Sequence, residues 1–186
     1  HTAYRRQRQM CIRDRFILHF KSMLSLATFT YCRKLIFQSS LAGLMVAPLL
    51  FLLVAGNIGG DLASSIDPLM ISIAFSSKAG QAVLVLFLGF LLVSLWSYLL
   101  PEQMWIVALA GFSLILISFS VYGHSTINGY STQLLIVLHL LAISYWVGSF
   151  LPLRYSTFRD IEDEKLFQIA HKFGIYAVYY IVVLVI

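Results

Sequence analysis

Charge is what this chain has least of. Only 11% of its 186 residues are Asp, Glu, Lys or Arg, against roughly 25% in ordinary soluble domains. So few charges cannot solvate a globular surface, which argues against a soluble protein. Cysteine is nearly absent as well, with Cys11 and Cys32 the only two. They stand far apart in a basic region expected on the reducing side of a membrane, so no disulfide is expected. No CxxC pair occurs, which removes a thiolate metal site of the usual spacing. There is no GxxxxGK[ST] phosphate loop, and the expected role is not enzymatic. Basic and aromatic residues do not interleave as a nucleic-acid surface requires, so no nucleic-acid partner is expected.

What is present is apolar sequence. Hydrophobic residues make up 60% of the chain, and they fall in long runs. The expected fold is all-α, a polytopic transmembrane helical bundle. A spanning helix needs about 20 apolar residues. The first span is 35–56, with Pro48 inside it, which neighbouring helices tolerate in a bilayer. Three more follow at 79–100, 103–122 and 132–153. A final run, 173–186, is apolar for 14 residues and stops at Ile186, about six short of a crossing. The count is therefore about five spans, with the chain expected to continue beyond Ile186.

Shorter segments separate these runs. Residues 16–31 are apolar but interrupted by His19 and Lys21, and Arg33 and Lys34 close them. They read as an interfacial helix or the remnant of a span. Residues 57–61 form a turn cluster, and 69–77 are too short to cross. Residues 154–172 read as a charged, solvated loop holding Asp160, Glu162, Asp163 and Glu164. The expected division is a basic segment over 1–34 and a transmembrane domain over 35–186. Within the first, Arg6 to Asp14 resembles translated sequencing adapter, so 1–15 reads as non-native, the alternative being a basic cytoplasmic tail.

Basic residues give the orientation. Eight Lys and Arg lie at or before Lys34, and four lie in 154–172. Four spans put both segments on one side, leaving only Lys78 on the other. Twelve against one places the N-terminal side in the cytoplasm. The net charge of +5 thus reflects orientation in a bilayer rather than an anionic partner.

Two histidines mark the candidate site. His139 stands about seven residues into the fourth span, roughly 10 Å below its outer end. His124 ends the third span, just across a short hairpin. Imidazole in hydrocarbon is costly unless bonded or ligated, so an intramembrane histidine points to function. Trp146 shares the face of His139, while Ser144 and Gly148 form a small-xxx-small pair suited to close helix packing. Ser113 and Ser120 continue the His124 face and offer hydroxyl partners. Two neutral imidazoles suit Cu, Zn or Fe. Met45 and Met70 are possible soft ligands, although methionine in an apolar helix is usually packing filler. Hydrogen bonding of His139 to a serine or a carbonyl is the alternative to ligation.

Gly123-His124 at a helix end, then His139-Leu140-Leu141-Ala142, Trp146-Val147-Gly148 and Leu151-Pro152-Leu153, resembles the CopD family of copper resistance membrane proteins. Lys78-Ala79-Gly80 resembles that family's small-residue helix entry. His171-Lys172-Phe173-Gly174 resembles its RFS segment, with lysine for arginine and glycine for serine. The resemblance implies copper transport or copper resistance at the bacterial inner membrane, with copper held by His124 and His139 near the periplasmic side. It also implies a periplasmic copper carrier as partner, besides the copper ion and the lipid bilayer. Two other readings stand beside it. A bis-histidine haem electron carrier would use histidines on neighbouring helices. A non-metal scaffold protein would only hydrogen-bond them.

Overall fold

The computed structural model describes residues 26–121, 130–158 and 163–185. Among them every regular element is a helix. The α-helices are α1 (Leu26–Gly59), α2 (Pro68–Ser76), α3 (Lys78–Tyr98), α4 (Trp105–Val121), α5 (Tyr130–Phe158) and α6 (Asp163–Val185). Short 3-10 turns at Ala63–Ile66 and Glu102–Met104 join α1 to α2 and α3 to α4. The chain divides into two compact units. One is Arg33–Ser144, and the other combines His1–Cys32 with Tyr145–Ile186.

Local chemistry sets the joints of the first unit. α1 runs through Pro48 and ends at Gly60, whose φ is +86°. Glycine takes that left-handed backbone without the steric cost of a Cβ, and its N–H bonds the carbonyl of Gly56 at 2.8 Å. Asp61 Oδ1 then accepts from the Ser64 N–H at 2.7 Å, ordering the 3-10 turn. Asp67 Oδ1 accepts from the Leu69 N–H at 2.8 Å and caps α2, with Pro68 just inside. Ser77 serves two helices. Its hydroxyl donates to the Ala74 carbonyl at 2.8 Å and accepts from the Gly80 N–H at 3.0 Å. One residue thereby closes α2 and opens α3.

α1 and α3 lie side by side and antiparallel. Arg33 meets the last turn of α3, Phe37 stacks on Tyr98 with centroids 5.0 Å apart, and Phe51 approaches Gly80. Between these contacts Gly43 faces the ring of Phe90 so closely that a Cβ there would stand 2.6 Å from it. α3 and α4 interlock through Gly89 and Gly111. A Cβ on Gly111 would lie 2.7 Å from the Gly89 carbonyl.

Burial in this structure favours small residues. Ala47, Ala55, Ala74, Ala79 and Ala82 are buried, together with Ser40, Ser94, Ser97 and Ser118. The large apolar side chains of α1 turn outward instead, Met45 being 66% and Leu49 60% exposed. Water would penalise that arrangement heavily. Hydrocarbon does not, and there close backbone approach through small residues holds helices together. Ala27–Gly59, Lys78–Tyr98 and Tyr130–Tyr155 are each long and apolar enough to cross a membrane. Of the other two expected crossings, one falls on the apolar but shorter Trp105–Ser120 and one on α6.

In the second unit, aromatic contacts join α6 to the C-terminal part of α5. The Tyr145 hydroxyl donates to the Phe173 carbonyl at 3.1 Å, and its ring stacks on Tyr180 at 4.4 Å. Tyr31 stacks on Tyr155 at 4.1 Å.

Two segments differ from the sequence expectation. Residues 26–31 belong to α1 and continue without a break through Arg33 and Lys34. Both are good helix formers, and long basic side chains reach a polar boundary while their stems stay in apolar surroundings. The expected loop 154–172 is largely helix. α5 continues to Phe158, and α6 begins at Asp163. Asp163 and Glu164 open α6.

Candidate functional site

His139 lies in the first third of α5 and is exposed, whereas Ala142, one turn on, is fully buried. The imidazole is therefore presented at the surface of the bundle. His124 falls at 122–129, outside the described residues, so the expected pairing with His139 has no geometry here. Among the described residues no group of three or more His, Cys, Asp or Glu is placed to hold a metal ion. Met45 is exposed on α1, and Met70 on α2 lies against Gly59. Neither is brought to His139 by any described contact.

The residues around the histidines have described bonds and contacts of their own. The Ser113 hydroxyl donates to the Leu109 carbonyl at 2.9 Å, and Ser120 to Ile117 at 2.8 Å. Both donors thus bond the backbone of their own helix, as serines in apolar helices commonly do. Trp146 meets Phe173 edge-on, with centroids 5.7 Å apart, and so belongs to the aromatic joint between α5 and α6. Gly148 has open space where a Cβ would project, so its face makes no close helix contact among the described residues. Cys32 is a free thiol.

A cavity of about 390 Å³ opens between α1, α3 and α4. Its wall is apolar, formed by residues such as Leu50, Leu53, Ala82 and Leu86, with Asn57 and Ser118 as polar members. It contains no His, Cys or Met, so its lining offers no soft donor to a metal. On the turn beside α2, the hydroxyl and N–H of Ser64 hold the Asp61 carboxyl below the usual aspartate range. Asp61 remains ionised and accessible on that end of the bundle.

The strongest polar feature is one that charge counting alone missed. Arg33 Nη2 donates to the carbonyls of Trp96, Ser97 and Leu100 at 2.9, 3.0 and 2.9 Å. The guanidinium carbon also lies 5.2 Å from the centre of the Trp96 ring. The last carbonyls of a helix have no intrahelical donors, and here an arginine from the neighbouring helix collects them. An Arg-Lys pair between two apolar runs was the available signal, because such charges need polar partners.

A family model, Copper resistance protein D-like, N-terminal domain, matches residues 15–134. The match takes in α1 to α4, the position of His124 and the start of α5, and ends before His139. No curated protein and no solved structure matches the chain. With well over half of its length matched, and with helices that bury small residues and turn large apolar ones outward, the chain belongs to the copper resistance protein D-like family.

Proposed function

We propose that this protein moves copper across the bacterial inner membrane, in copper resistance or copper supply, and that His124 and His139 are its intramembrane ligands near the periplasmic face. The observation that carries the reading is the family match over 15–134. The outward-facing apolar side chains of α1 support a bilayer setting. Imidazole is a suitable copper donor, and Cu(I) accepts few ligands, so two histidines with one further soft donor would form a sufficient set. Exposure of His139 suits a ligand that meets its partners from another helix.

In this reading the end of the bundle bearing Arg33 and Lys34 is cytoplasmic, and the Asp61 end is periplasmic, as the distribution of basic residues favours. Residues 1–34 form the basic cytoplasmic segment, and 35–186 the copper-handling domain, with α4 and α6 completing about five crossings. A periplasmic copper carrier delivers the ion at the Asp61 end. The role is transport rather than catalysis. The test is Cu(I) loading of the purified protein, comparing wild type with His124→Ala and His139→Ala. Lower copper content in each variant is expected, and equal content in all three overturns the ligand assignment. A haem Soret band in the purified protein would overturn the copper reading in favour of electron transfer.

A further inference from the structure

Arg33 is a half-buried cation whose described partners are all neutral. Its three hydrogen bonds leave from one nitrogen, Nη2, and end on backbone carbonyls. The described hydrogen bonds of the group all leave from Nη2, none from Nη1 or Nε, and no described carboxylate side chain is paired with it. Directly beside it, Trp96 is only 8% exposed, and its Nε1 makes no hydrogen bond. A buried N–H without an acceptor is costly, and so is a sheltered charge without a counter-charge. The two deficits adjoin, because the guanidinium lies over the same indole ring. Both are donors, and an anionic acceptor with more than one oxygen would satisfy both.

The surroundings indicate where that acceptor comes from. Lys34 follows Arg33 and is exposed. Tyr98, exposed, stacks on Phe37 one turn further along α1. Trp96 and Tyr98 end an apolar helix long enough to cross a bilayer. Aromatic rings with lysine and arginine at the end of such a helix mark the level of lipid headgroups. Anionic headgroups at that level attract basic residues, and a phosphodiester presents several acceptor oxygens to a guanidinium fork.

We propose that Arg33, Lys34 and the Trp96 indole N–H form a binding site for the phosphate of an anionic phospholipid. The lipid completes the donors that the protein leaves open, while the three carbonyls hold the guanidinium in place. The site is independent of the copper reading, since it involves neither histidine.

The test is lipid retention by the purified full chain, with phosphatidylglycerol, phosphatidylcholine and inorganic phosphate as probes. Wild type should retain phosphatidylglycerol in preference to phosphatidylcholine, and inorganic phosphate should not displace it. Arg33→Gln should lower retention roughly fivefold, the effect of one basic contact with an anionic surface. Trp96→Phe keeps a ring of similar shape and removes only the N–H, and should weaken retention a few-fold. In wild type the indole N–H resonance of Trp96 should move downfield on adding phosphatidylglycerol and not on adding phosphatidylcholine. Equal retention of the two lipids, an unmoved indole resonance, or competition by inorganic phosphate overturns the site. Glu102, two residues past Leu100, is the acidic residue nearest in sequence. Glu102→Gln should leave retention unchanged, and a rise would show that Arg33 already has its counter-charge and overturn the proposal.

Discussion

Arg33 holds Trp96 in two ways at once. Its Nη2 donates to the Trp96 carbonyl at 2.9 Å, and its guanidinium lies 5.2 Å from the centre of the indole. α1 and the last turn of α3 are joined at this point by one guanidinium that bonds backbone carbonyls and lies over an indole ring.

Lysine should not replace it. Arg33→Lys keeps the charge but loses the guanidinium that lies over the Trp96 ring and the nitrogen that reaches all three carbonyls. The expected cost is about 1.5–3 kcal/mol, the range for hydrogen bonds made by charged groups. Thermal unfolding in detergent measures it, and an unchanged midpoint would show that charge alone suffices.

The glycines of the bundle should respond oppositely to the same substitution. Gly111→Ala pushes a methyl to 2.7 Å from the Gly89 carbonyl and 2.9 Å from Val93 Cγ2. Overpacking of that kind costs about 1–3 kcal/mol. Gly148→Ala projects into open space and should gain up to about 1 kcal/mol from helix propensity. The two unfolding midpoints, read side by side, check the α3–α4 interlock.

His139→Ala should leave the fold intact. The side chain is exposed, and surface substitutions away from special contacts usually stay within about 0.5 kcal/mol. Unchanged helicity and unfolding midpoint would mean that any loss of copper reports ligation rather than collapse. A large drop in stability would instead reveal a buried hydrogen-bonding role.

The turn around Asp61 should loosen in acid. Bonds from Ser64 depress its carboxyl below the ordinary aspartate value. The ionised form is therefore favoured when folded, and its contribution is complete above the unfolded pKa, about 3.9. It is lost as pH falls from there through the lower folded value. Protection of the Ser64 amide, its exchange taken relative to the intrinsic rate at each pH, should fall over that window. Asp61→Asn should flatten the dependence, and a flat wild-type profile would remove the carboxylate's role.

Much of the bundle was legible in residue order. Runs of apolar residues near 79–100 and 132–153 located α3 and α5, and the short run at 69–77 located α2. The ends were harder. Arg33 and Lys34 looked like a stop because charge interrupts an apolar run, yet the helix passes through them. Residues 154–172 looked like a loop because they are charged, yet most lie in α5 and α6. Charge reports the polarity of surroundings, and a helix can cross from lipid into water unbroken. The site was legible only as far as its residue types. His139 could be singled out by its apolar neighbours, but whether it is covered or exposed depends on which face α5 turns inward.

Sequence by itself determined that this chain is helical and suited to a bilayer, because length and apolarity of a segment depend on no partner. It also singled out histidines, whose donor chemistry belongs to the side chain alone. Tertiary structure decided where Arg33 ends, what closes the last turn of α3, and which glycines are in tight contact. Each of those depends on residues far apart in the chain meeting in space, and no spacing along one helix encodes which carbonyls of another will lie within reach.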